Sequence, residues 1–343
     1  MKYRFLVSIV GVMALVGVAT AQLNAQTPLA TRSLKDSSTP RAGDGHPDLQ
    51  GFWANNNATP LERPQELADH PVLTDAEVQA MRKKAEEMFV SGKNDAVFGD
   101  LMFRTVWANL KGLKAGFTSV DGETGDYSSE WNDHRVWDNR TSLITDPADG
   151  QVPSMTARAK NLLEEQRIAR QRPARGPEDR SFGERCLTRG VPAIQAGYQS
   201  YFQIVQTPTA VMMMTEMFHD VRVIRLDGQA HPPAAVQSWM GDSRAHWDGN
   251  TLVIDTTNFK PRAFQSISSE KLHLTERISR QDAETLRWEI TIDDPDTWAK
   301  PWSIMVPLQR SAQPVYEYAC HEGNIGLMGI LAGARADEAK AAK

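Results

Sequence analysis

The sequence predicts a mainly β fold: an antiparallel up-and-down barrel, lipocalin-like in style, with a helical insertion. A two-sheet β-sandwich is the alternative. Three observations carry this. From Tyr201 onward the hydrophobic period becomes two and stays so through about eight short runs. Turn residues such as Pro208-Thr209 and Asp248-Gly249-Asn250 separate those runs, and connections that short favour sequential antiparallel neighbours. The only two cysteines, Cys186 and Cys320, bracket the same stretch.

The chain opens as an export signal. Two cations at Lys2 and Arg4 precede an apolar run from Phe5 to Val18, and Ala19-Thr20-Ala21 supplies the small-x-small cleavage pattern. The apolar run is short for a membrane span, so residues 1–21 are expected to be removed, leaving a periplasmic or secreted protein with no span. Two cysteines in such a chain favour one disulfide, which chain entropy values at about 4–5 kcal/mol as an upper figure. Removing the leader takes Lys2 and Arg4 from 38 basic residues set against 43 acidic ones, so net charge moves from −5 to −7. That balance argues against a nucleic-acid partner, which needs a basic face. Hydrophobic content of 41% supports a real core, and nine tryptophans suit a concave site as well as a core.

Residues 22–47, rich in Ser, Thr, Pro and Gly, read as a flexible lead. Residues 48–180 then hold a first strand through Gly51-Phe52-Trp53 and a helical and loop insertion. Thr74-Asp75-Ala76-Glu77 is a capping box that opens a helix from about Asp75 to Phe89. Aromatics recur between 92 and 140, with a helix predicted over Asp100–Leu113. Thr141–Thr145 and Gln151–Pro153 read as two short strands. Ser154-Met155-Thr156 begins a helix to about Arg172, with Leu162, Leu163 and Ile168 as its buried side. The Pro/Gly-rich, charged stretch 170–180 marks a boundary or linker. The barrel core is placed at 181–324, with strands predicted at 202–207, 210–217, 221–226, 244–247, 251–257, 272–280, 285–293, 302–309 and 315–320. The three residues Asp248-Gly249-Asn250 favour a bulged hairpin turn. Residues 325–343 form a helical tail.

Alternation also exposes misplaced charges. Glu276 shares an inward face with Leu272, Leu274 and Ile278, and Glu216 shares a face with Met212 and Met214. A carboxylate buried among such residues is costly unless paired, and burial raises its pKa, as in general acids and bases. Salt bridges to Arg222, Arg244 or Arg277 are the structural alternative. His219, His246 and His321 form a second set, and Asp255 is placed to orient a neighbouring His or Arg. The histidines lack zinc-motif spacing, so no metal is expected, and no Gly-rich phosphate loop implies a nucleotide cofactor. Trp298 and Trp302 read as a lid or plug at a barrel mouth.

The segments 184–192, 216–222, 241–259 and 316–324, including Gly241-Asp242-Ser243-Arg244-Ala245-His246-Trp247-Asp248-Gly249-Asn250, resemble a large group of exported bacterial proteins without an established activity. Gly51-Phe52-Trp53 ahead of a β-meander is similar to the opening of lipocalin-type barrels. The expected function is binding of a partly apolar small molecule in the barrel interior, extended to acid/base catalysis (lyase, isomerase or hydrolase). Glu276 or His219 would be base, His321 acid and Asp255 their orienting partner. Arg222, Arg244, His246, Glu216 and Trp302 would contact substrate. A non-catalytic binding protein, or an envelope protein whose inward charges are ion pairs, is the alternative; the oligomeric state is left open.

Overall fold

The computed structural model describes residues 40–89, 100–113, 135–194, 196 and 200–342. The predicted leader, most of the lead and much of the aromatic stretch between 92 and 140 lie outside those residues. In chain order the regular elements are β1 (Gly51–Ala54), α1 (Asp75–Phe89), α2 (Asp100–Leu110), β2 (Ile144–Asp146), α3 (Ala157–Arg170), β3 (Tyr201–Gln206), β4 (Ala210–Thr215), β5 (Val221–Arg225), β6 (Asp242–Asp248), β7 (Thr251–Thr257), β8 (His273–Arg280), β9 (Thr285–Asp293), β10 (Trp302–Ser311) and α4 (Ile325–Ala341).

Nine strands, β1 and β3 to β10, close into a barrel because β1 pairs with both β3 and β10. The ten-residue β10 has edge to spare, and its first half takes β2 on the side where its second half takes β1. Closure leaves the barrel strands no long open edge. Alternation fixes the faces: Phe202 and Ile204, Val211 and Met213, Leu274 and Ile278, Trp288 and Ile290, and Ile304 and Val306 all point inward and are buried.

The expected barrel is present, with four local differences. β5 and β6 run parallel, not antiparallel. A parallel pair cannot be joined by a hairpin, and residues 226–241 supply the long crossover it needs. Asp248 pairs with Thr251, so the β6–β7 turn has only Gly249 and Asn250 at its centre and no bulge. Gly249 takes the positive φ, +59°, that this turn requires. Residues 315–320 do not join the sheet, since β1 and β2 already occupy the edge of β10. Residues 151–153 form no strand either.

The helices lie outside the barrel. Thr74 and Glu77 make the reciprocal capping bonds, at 2.8 and 3.3 Å, that start α1. α1 and α2 share a small second core of Val78, Met81, Phe103, Val106, Trp107 and Trp137. α3 buries only Ala159; Leu162 is half-buried against the barrel core, whereas Leu163 and Ile168 are exposed. Stretch 170–180 is held in place: Arg172 pairs with Asp179 at 2.8 Å, and Arg335 of α4 donates to the Ala174 carbonyl at 2.5 Å. Cys186 and Cys320 are disulfide-bonded, tying the segment before β3 to the one before α4. No helix among the described residues is long and apolar enough to cross a membrane.

Candidate functional site

The two ends of the barrel differ. At one, strands turn tightly through 207–209, 249–250 and 281–284; at the other, the long segments 55–61, 181–194, 258–272 and 294–301 gather. The barrel interior itself is filled. Arg222 of β5 is 6% exposed and Glu276 of β8 is 0% exposed, and they pair through both guanidinium terminal nitrogens. Arg222 Nε also donates to Ser243 at 2.8 Å and Trp288 Nε1 donates to Glu276 at 3.0 Å. Trp298 and Trp302 pack edge to face, both fully buried, and plug the long-loop end beneath Phe264. The ligand space expected inside the barrel is therefore displaced, because aromatic and aliphatic side chains and this ion pair occupy the interior.

A cavity of about 650 Å³ lies at the long-loop end, a size suited to a small molecule. Arg189, Arg262 and Asp100 line it, with Asn57, Tyr201 and Phe182 among its other walls. Arg262 lies over the Phe182 ring, 5.4 Å from its centroid, and its Nε is buried without a hydrogen-bond partner among the described residues. Three residues of this wall hold positive φ without being glycine: Arg262 at +71°, Gln265 at +49° and Ser266 at +60°. Such conformations cost energy and persist where surroundings enforce them. Here Gln166 of α3 donates to the Ser266 carbonyl at 2.9 Å, and the Arg262 N–H donates to the Ser268 carbonyl at 2.7 Å. Gly190, at φ +79°, lets the 181–194 segment lie directly on Ala263; a Cβ there would sit 2.0 Å from the Ala263 carbonyl oxygen.

Burial pushes the Asp100 carboxyl above its ordinary value, against the opposing pull of the Leu61 N–H and nearby Arg104. Asp220, behind the wall, is raised for the same reason, although it accepts from the Thr188 hydroxyl at 2.7 Å and the Arg189 N–H at 3.1 Å. Crowding by protein lowers the pKa of Arg189.

The residues singled out in the sequence fall in separate places, and none of them lines this cavity. Glu276 and Arg222 form the interior pair, and Trp302 is in the plug. Glu216 is buried, but not by strand alternation: Met212 and Met214 face outward, and the chain turns into helical φ/ψ at Glu216. Its carboxylate accepts the Tyr316 N–H at 3.0 Å, and His219 Nδ1 accepts the Tyr318 N–H at 3.1 Å. Those bonds hold the 315–320 segment alongside the barrel. His321 and His246 are exposed. Asp255 and Arg244 lie on the outer barrel face, where Asp255 accepts from His273 at 2.5 Å and His231 at 2.8 Å. Arg244 is committed to Asp242 at 2.7 Å and Asp227 at 3.2 Å. Arg189, Arg262 and Asp100 belong to no known ligand-binding motif: Arg189 and Arg262 lie in irregular segments, and Asp100 opens α2. The chain matches no protein-family model, no curated protein and no solved structure.

Proposed function

We propose that this is an exported protein that binds a small, partly apolar molecule carrying a negatively charged group, in the cavity at the long-loop end of the barrel. The observation that carries the reading is the cavity lining: two arginines, one of them seated on an aromatic ring with an unpartnered buried Nε, beside apolar walls. Guanidinium groups suit carboxylate and phosphate, and an aromatic platform adds contact for a planar body. Burial raises the Asp100 carboxyl above its ordinary value, so it repels an anion over a narrower pH range than an exposed aspartate would. The signal-like leader and the disulfide support export.

The test is calorimetric titration with a panel of aryl carboxylates, each matched with its neutral amide. Carboxylates should bind, and Arg262→Met should weaken them by about tenfold, equivalent to about 1.4 kcal/mol. Amides binding as tightly as the acids would sink the reading. A second reading, acid/base catalysis, is favoured by the raised pKa of Asp100 alone. It requires turnover of a bound ligand that disappears in Asp100→Asn.

A further inference from the structure

His231 lies in the 226–241 crossover between the parallel strands β5 and β6. Its ring is clamped between two carboxylates: Nδ1 is 2.7 Å from Asp242 Oδ1 on β6, and Nε2 is 2.8 Å from Asp255 Oδ1 on β7. A carboxylate only accepts, so both contacts are hydrogen bonds only when both ring nitrogens carry protons. A neutral ring would satisfy one and set a lone pair against the other. The remaining charged groups around it are His273 of β8, on the second oxygen of Asp255, Arg244 of β6, on Asp242, and Asp227 at the start of the crossover. Asp293 of β9 is the register partner of His273.

The crossover also touches the cavity's outer wall. Ser238 exchanges backbone bonds with Asn258 and Lys260 at 3.0 and 2.9 Å, directly ahead of Arg262. Trp239 packs edge to face on Phe182 at 4.5 Å, and Met240 lies 3.7 Å from the Thr188 hydroxyl. Phe182, Thr188 and Arg262 all line the cavity.

We propose that protonated His231 is a latch that clips the crossover to the barrel and, through it, holds the cavity wall, and that loss of the ring proton to solvent releases both. The consequence for ligand rests on the cavity being the working site, but the latch itself does not. The surrounding carboxylates set the lower pH limit. Burial works against them, but bonds from His273 and His231 bring Asp255 below its ordinary value, and bonds from Arg244 and His231 do so for Asp242. The latch thus needs both carboxylates ionised and both ring nitrogens protonated, and it opens when rising pH takes the ring proton.

Hydrogen–deuterium exchange of the full mature protein at pH 5.5 and pH 8.0, with EDTA present and rates corrected for intrinsic pH dependence, tests this without any ligand. Amides in 226–241 and 258–266 should exchange severalfold faster at the higher pH in the wild type. In His231→Gln they should exchange fast at both. Unchanged protection in the wild type overturns the proposal even if the variant fails to fold. Loosening confined to 226–241 overturns the link to the cavity wall. The carboxylate titration above fails or succeeds independently of either result.

Discussion

Arg222 and Glu276 meet across the filled centre of the barrel, from strands that are not neighbours in the sheet. β5, β6, β7, β8 and β9 each contribute one member of the cluster: Arg222, Ser243, Thr256, Glu276 and Trp288. Four of the five guanidinium N–H groups are used, and the carboxylate accepts three bonds. A buried pair satisfied to this degree ties the sheet's curvature to one register, because a one-residue slip of β8 would turn Glu276 to solvent and leave Arg222 stranded.

Removing one partner should therefore be severe. Glu276→Ala is expected to lose about 3–5 kcal/mol, since Arg222 stays buried without its counter-charge. The double variant Arg222→Met, Glu276→Leu should recover most of that loss, because apolar side chains of similar volume avoid the desolvation cost. Urea unfolding of the three proteins checks both. A Glu276→Ala loss below about 1 kcal/mol would mean the pair is solvated, contrary to its burial.

The inward position of Glu276 was legible because Leu272, Leu274 and Ile278 alternate with it on a strand of clean period two. The capping box at Thr74 and Glu77 was legible for an equally local reason. The parallel β5–β6 pair was not: residues 226–241 have no periodicity, and hydrophobic alternation is blind to strand direction. Val315–Cys320 has strand-like alternation, yet no free edge remained for it, a fact fixed by β1 and β2 from far upstream. The cavity was least legible of all. Asn57, Arg189 and Arg262 come from three irregular segments and Asp100 from the first turn of α2, and only the packing of whole elements brings them together. His231 escaped notice because its partners, Asp242 and Asp255, lie on strands reached only after the crossover.

The disulfide should contribute through the unfolded chain. Cys186 and Cys320 are 134 residues apart, which chain entropy values at about 5 kcal/mol before native-state strain is subtracted. Replacing both cysteines with alanine is expected to cost about 2–5 kcal/mol, read as a lower urea midpoint, and a reducing agent should do the same to the wild type. The Glu216 and His219 bonds to Tyr316 and Tyr318 should keep that segment placed in the folded state. A reduced protein with unchanged stability would contradict the assignment.

Gly190 carries the close approach that shapes the cavity. Its φ of +79° disfavours any side chain, and an added Cβ meets the Ala263 carbonyl at 2.0 Å, which backbone alone must relieve. Gly190→Ala should destabilise by about 2 kcal/mol or more and displace the 262–266 wall. Substitution at Gly249, whose turn is open to solvent, should cost less, since only the positive φ opposes it. Comparing the two variants by thermal unfolding separates the clash from the conformational preference; equal losses would remove the clash from the account.

Asp100 and Asp220 make the pH dependence of stability depart from that of a protein with only paired carboxylates. Both carboxyls are raised by burial. The folded state then holds these protons more tightly than the unfolded chain, whose aspartates titrate near pH 3.9. That stabilisation is complete below the unfolded value and disappears as pH climbs through the folded one, so at neutral pH each ionised group costs stability. Asp100→Asn keeps an acceptor for the Leu61 N–H, which the carboxylate now takes at 3.0 Å, while removing the charge. The variant should match the wild type near pH 3.5 and become progressively more stable than it as pH rises to 7. Asp220→Asn should behave the same way, provided its amide oxygen takes over the bonds from Thr188 and Arg189. Urea midpoints measured from pH 3.5 to 7 decide it. A wild-type advantage at pH 7 would show that Asp100 is stabilised as an anion by a neighbour, contrary to the upward shift that its burial produces.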